Sequence, residues 1–152
     1  MTAIYIDADA CPVRDEVYRV AERLSLEVFV VSNGSRPIRP SPDPKVRMVV
    51  VGDGADAADH WIAERIEASD ICVTGDIPLA ARCLAKDARA LAPNGKIWTK
   101  DNIGGALAGR EVSRHLRELG GGGGPPPFSK ADRSRFLQAL DKLAHATMAR
   151  PA

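Results

Sequence analysis

The sequence predicts a three-layer α/β sandwich: a mostly parallel sheet of about five strands with helices on both faces. Three features lead there. Short runs rich in Ile and Val alternate with stretches of helical period, the links between them are mostly short, and 45% of the 152 residues are hydrophobic, enough to build one buried core. Right-handed crossovers between parallel strands then distribute the helices over both faces.

The first strand is AIYIDAD, apolar on alternate residues of both parities, as expected for a strand buried on both sides. Asp9 is placed to cap a helix opened by Pro12, and in PVRDEVYRVAERL the residues Val13, Val17, Val20, Ala21 and Leu24 recur at steps of three and four. LEVFVVSN reads as strand two, residues 34–45 as a proline-broken loop, and VRMVVVG as strand three. The stretch 55–68 reads as a second helix with Ala58, Ile62 and Ile66 on one face. DICVTGD is strand four, IPLAARCLAKDA a third helix, ARALA strand five, PNGK a turn, and NIGGALAGREVSRHLREL a longer helix.

These elements divide the chain into an α/β core over 1–119, a Gly/Pro-rich linker over 120–128, and a C-terminal helix within 129–152 that returns to the core. Ser129 followed by Asp132 forms a start of capping-box type, and Phe136, Leu137, Leu140 and Leu143 supply the apolar stripe.

Composition narrows the functional classes. Cys11, Cys72 and Cys83 form neither a CxxC pair nor a spaced His/Cys set, which argues against a disulfide framework or structural zinc and for a reducing cytoplasm. The sequence opens without a basic segment leading into a long apolar core, and no run approaches the roughly 18 apolar residues of a membrane span, so a soluble chain is expected. Net charge is +1 but uneven: residues 1–95 hold 11 basic and 15 acidic residues, and residues 96–152 hold 10 basic and 5 acidic. In the basic part Arg110, Arg114 and Arg117 fall on one helix face, while Lys130, Arg133 and Arg135 begin the next helix. Such stripes hold phosphates in nucleic-acid proteins, although most are ordinary solvated faces, and an aromatic content of 5% gives no interleaved stacking set.

The acidic residues carry the chemistry. With strand four beside strand one, the order becomes 3-2-1-4-5, and the crossovers leave those two strands in opposite directions, opening a crevice at their carboxyl ends. Asp7 ends strand one and Asp76 follows strand four; Asp9 lies just beyond, and the second helix offers Asp59 or Asp56. Carboxylates gathered in one place repel unless a cation neutralises them, and a hard oxygen set suits Mg²⁺ or Mn²⁺ able to activate water at a phosphodiester. Taken singly, Asp9, Asp53 and Asp56 are more readily explained as cap or turn residues. Thr74 has a hydroxyl for a phosphate or a bound water, or for strand-end backbone. Cys11 reads as inert packing, and His60 and His115 as helix residues at the surface or in packing.

IYIDADACPV, VVVGDGADAADHWI, ICVTGDIPLA, the DNIGGAL segment and GGPPPFSKADRSRF together resemble the bacterial YaiI/YqxD family over essentially the whole chain. That family is similar in fold to PIN-like domains, many of which are Mg²⁺- or Mn²⁺-dependent ribonucleases. The resemblance implies that Asp7 is the acid ending the first strand and Asp76 the acid of the Thr-x-Asp segment Thr74-Gly75-Asp76. The helix-borne acid matches Asp59 better than Asp56. Many PIN domains carry a further acid shortly after Thr-x-Asp, whereas here Ile77-Pro78-Leu79 follows, so Asp9 or Asp101 would have to stand in.

The resemblance therefore implies a metal-dependent nuclease acting on RNA, with Asp7, Asp9, Asp59 and Asp76 as metal ligands. Two other readings compete. Asp7-Ala8-Asp9 and VGDGADAAD resemble the nucleophile and metal motifs of haloacid-dehalogenase-like phosphatases, but Thr74 follows the second motif instead of lying between the two. A non-catalytic RNA-binding module would keep the fold and some acids. The sequence leaves the oligomeric state open.

Overall fold

The computed structural model describes residues 2–8, 11–34, 38–52, 54, 56–118 and 129–148, with backbone alone over 110–118. Five parallel strands, β1 (Ala3–Asp7), β2 (Glu27–Ser32), β3 (Val46–Val50), β4 (Ile71–Val73) and β5 (Arg89–Leu91), are joined by a short antiparallel β6 (Ile97–Trp98). The sheet order is β3-β2-β1-β4-β5-β6, which is the expected order with one strand added. β6 escapes sequence reading because two residues show no periodicity; it exists because the turn Pro93–Lys96 folds Ile97 and Trp98 back onto Leu91 and Ala90.

The helices are α1 (Arg14–Leu24), α2 (Ala57–Arg65), α3 (Ile77–Ala85), α4 (Lys100–Glu118) and α5 (Lys130–Met148). Some expected helix bounds move. The first helix begins at Arg14, with Val13 at its N-cap and Pro12 outside it. The second is shorter than 55–68, because Ile66 adopts extended backbone and leads the chain away while its side chain stays buried. α1 ends on Ser25 in the left-handed region, where Leu26 N–H returns to Ala21 O at 2.9 Å. The expected linker 120–128 and the caps or ligands Asp9 and Asp53 lie outside the described residues. No described helix is long and apolar enough to cross a membrane.

β1 is the central strand, and its alternation divides the core. Ile4 and Ile6 face one layer with Val17 and Val20 of α1 and Phe136, Leu140 and Leu143 of α5; Tyr5 faces the other with Ile62 of α2 and Leu79 and Cys83 of α3. A third cluster, Ala80, Leu84, Ala90, Trp98 and Ile103, seats α4 against α3 and β5.

The C-terminal helix carries the expected capping box: Asp132 N–H donates to Ser129 Oγ at 3.1 Å, and Ser129 N–H donates to Asp132 Oδ2 at 3.0 Å. It meets the hairpin before β6 at Gly95, whose φ is +93° and where a Cβ would fall 2.7 Å from the carbonyl carbon of Arg135. Both conditions require glycine. We expect Gly95→Ala to lower stability by about 2 kcal/mol in chemical denaturation, combining left-handed strain with a backbone clash. Gly104→Ala, in α4 with open space around its Cβ, is expected to raise stability by about 0.5–1 kcal/mol instead.

Candidate functional site

β1 and β4 lie side by side, with Ile6 opposite Val73, so the residues that follow, Asp7 and Thr74, are neighbours at the carboxyl edge. The chain leaves β1 toward β2 and β3 and leaves β4 toward β5, which makes this the switch point of the sheet. Asp7 is only 3% exposed and Thr74 is fully buried. Thr74 Oγ1 donates to Asp7 Oδ2 at 2.9 Å and accepts from Asp76 N–H at 2.9 Å. The threonine hydroxyl thus ties the end of β1 to the start of α3. Neither role considered from the sequence, a phosphate contact or a strand-end backbone cap, describes it fully.

Asp76 is the N-cap of α3: its Oδ1 accepts from Leu79 N–H at 3.1 Å, and Pro78 follows in the first turn. Its carboxyl also lies beside that of Asp59, from the first turn of α2. Burial, then the charges of Asp76 and Asp7, then the contact with the Asp76 carboxyl and the charge of Asp56, push the Asp59 pKa up to about 7. Three elements therefore bring Asp7, Asp59 and Asp76 to one crevice. Among the described residues, no three His, Cys, Asp or Glu side chains lie together as a ready-made metal set.

The other candidates separate. Asp56 is exposed at the N-cap of α2 and makes no side-chain cap bond, while Asp101 is exposed in the first turn of α4. Arg110, Arg114 and Arg117 lie on α4, with side chains outside the described residues. Lys130 is exposed at the start of α5. Arg133 is engaged: its Nη1 donates to Glu16 Oε1 and to Pro12 O, both at 3.1 Å, tying α5 to the turn that leaves β1. Its place at the carboxyl edge was not readable from the stripe alone.

Cys11 is buried, and burial pushes its thiol up to about 12, which suits an inert packing residue. His60 is exposed, its Nδ1 lying 3.2 Å from Arg82 Nη1. Three aromatics distant in sequence do meet: Tyr5 stacks on Phe29 at 5.0 Å and Trp61 tilts against both. Arg47 lies over the Phe29 ring at 5.8 Å and Arg65 over the Trp61 ring at 4.4 Å, while burial, then Asp70 and Glu67, raise the Tyr5 pKa, so the cluster stands in a setting of mixed charge. A cleft of about 620 Å³ between α1 and residues 41–45 sits by Ser25 at the opposite edge of the sheet and takes none of the crevice carboxylates.

Fold and site together define a class: a doubly wound α/β domain with paired carboxyls at the switch point between its first and fourth strands. A family model described as "Uncharacterized BCR, YaiI/YqxD family" matches residues 5–146, and the chain belongs to that family. It is 58% identical over 146 residues to the UPF0178 protein amb2838 of Paramagnetospirillum magneticum, covering 95% of each chain. It is 55% identical over 152 residues to a UPF0178 protein of Parvibaculum lavamentivorans, covering 99% of each, and 56% identical over 144 residues to UPF0178 protein Rru_A0086 of Rhodospirillum rubrum, covering 94% of this chain and 95% of that one. No solved structure matches the chain with significance.

Two predictions follow from the bonding. Thr74→Val removes a donor from a buried carboxylate and should cost about 2 kcal/mol in denaturation, with Thr74→Ser recovering most of it. For Asp59, a folded pKa of about 7 lies above the ordinary value, so its share of stability is full at low pH and is lost as pH rises through 7. Asp59→Asn should therefore melt above wild type at pH 8, with the advantage shrinking toward pH 4; a constant or inverted difference would contradict the assignment.

Proposed function

We propose that the chain is a divalent-metal-dependent nuclease acting on RNA, with a PIN-like site at the carboxyl ends of β1 and β4. The observation that carries this reading is the adjacent carboxyls of Asp59 and Asp76, beside the buried Asp7, at the switch point where such folds bind ligands. Two adjacent carboxyls, which repel each other when both are charged, suit a cation better than they suit folding.

The donor chemistry fits Mg²⁺ or Mn²⁺. Such ions commonly take one or two carboxylates from the protein and complete six-fold coordination with water and substrate phosphate, so a pair is sufficient. Asp59 and Asp76 would hold the ion, with Asp7 adding its charge from behind; Asp9, two residues on in the sequence, is a further candidate ligand. When bound, the cation would supply activation of water and neutralisation of phosphate charge. Thr74 acts through Asp7 and Asp76, fixing the orientation of one and the backbone of the other. Lys130 and Arg133, at the start of α5 on the same edge, and Arg110, Arg114 and Arg117 of α4 would hold backbone phosphates. The three buried free cysteines suit a reducing cytoplasm.

The phosphatase alternative asks Asp7 to be a nucleophile, and a carboxylate 3% exposed and bonded to Thr74 is poorly placed to attack a substrate. The test is cleavage of end-labelled single-stranded and structured RNA, with DNA controls, in Mg²⁺, Mn²⁺ or EDTA. Metal-dependent cutting of RNA should disappear in folded Asp7→Asn and Asp76→Asn and fall about 10–100-fold in Thr74→Val. Cutting that survives both aspartate variants would contradict the site. RNA binding without metal and without cutting, reduced by loss of Arg114 and Arg117, would indicate a binding module.

A further inference from the structure

The sheet has two edges, and they are managed differently. β6 is only two residues long, and so short an edge offers little to pair with. β3 is five residues, Val46–Val50, with Val51 continuing it; it contains no proline, and Arg47 is its one charge. Val50 is 69% exposed, the most exposed large hydrophobic side chain among the described residues.

The ladder to β2 determines which backbone groups of β3 are already used. Val28 N–H donates to Lys45 O and Val51 N–H donates to Ser32 O, with Val28 opposite Val46 and Ser32 opposite Val50. In a parallel ladder of this register Arg47, Val49 and Val51 turn their N–H groups toward β2, and Val46, Met48 and Val50 turn theirs outward. Val46 N–H folds back to Asp43 O at 3.0 Å. The outward N–H and C=O groups of Met48 and Val50 meet no backbone partner among the described residues.

We propose that β3 pairs with β3 of a second copy of this chain, antiparallel, about a two-fold axis at Val49. That register uses all the outward groups of Met48 and Val50: Met48 of each copy faces Val50 of the other as a hydrogen-bonded pair, giving four interchain bonds. Val49 then faces its own counterpart in a non-hydrogen-bonded pair, and Arg47 faces Val51. No like charges stand opposite, and Glu27 Oε1 lies 3.9 Å from Arg47 within each copy. The exposed Val50 side chain comes to rest against Met48 of the second copy. The self-complementarity is that of an isologous two-fold interface. Two six-stranded sheets become one of twelve. Because the paired strands run in opposite directions, the two acidic crevices open at opposite edges, and neither is covered.

The experiment is light scattering of the full chain, joined to cysteine cross-linking under mild air oxidation. Wild type should have twice the chain mass of 16.3 kDa. Val50→Lys should halve that mass and leave the far-ultraviolet circular dichroism of the folded chain unchanged. Val49→Cys should give a disulfide-linked dimer, since it meets its own counterpart, and Arg47→Cys should not; the native cysteines are buried and stay out of the reaction. A wild type that is monomeric at the highest attainable concentration overturns the proposal. So does a dimer indifferent to Val50→Lys, or one in which Arg47→Cys cross-links as readily as Val49→Cys, which would indicate another interface or another register. None of these readouts depends on nuclease activity.

Discussion

The hydrogen bond from Thr74 to Asp7 is the constraint on which the rest of this molecule turns. A carboxylate 3% exposed at the end of the central strand is costly unless it is bonded, and Thr74 Oγ1 at 2.9 Å meets part of that need. Only a parallel β1–β4 pairing in the observed register delivers the hydroxyl there. The same hydroxyl accepts the Asp76 N–H, so satisfying Asp7 also sets the entry into α3 and points the Asp76 side chain at its own helix. A structural requirement at one atom therefore organises the candidate site.

The crevice departs from the rest of the fold in its polar economy. Several acids elsewhere are paired with bases or used as caps: Lys100 with Asp87, Arg133 with Glu16, Ser129 with Asp132. At the switch point acid meets acid, and burial together with the charges of Asp76 and Asp7 pushes the Asp59 pKa up to about 7. A fold selected for stability alone would place an Asn or a base there. The unfavourable arrangement is retained at the carboxyl edge of the sheet, where ligands of such folds bind, and this is the physical basis for assigning it to function.

Much of this was legible in the sequence, and the remainder failed for identifiable reasons. The layered fold and the strand order followed from apolar runs and short links, and Asp7 beside Asp76 followed from the switch-point rule. The Thr74 bridge did not, because it depends on register and on a side-chain rotamer that spacing cannot supply. Asp59 over Asp56 was indicated by position along α2, but its raised pKa depends on the approach of α2 to α3. Arg133 read as one member of a basic stripe; its bonds to Pro12 O and Glu16 come from the docking of α5, a contact 121 residues distant in the chain. β6 was too short to have a period, and Pro12 suggested a helix start that α1 begins two residues later, at Arg14.

The central claim is that Asp59 and Asp76 form a cation site with Asp7 behind them. The most direct measurement is amide NMR during titration with Mn²⁺, whose unpaired electrons broaden nearby resonances. The account predicts saturable broadening confined to the end of β1, the first turn of α2 and residues 74–79, displaced by excess Mg²⁺ and absent in Asp76→Asn. Broadening centred elsewhere, or none that saturates, would contradict it.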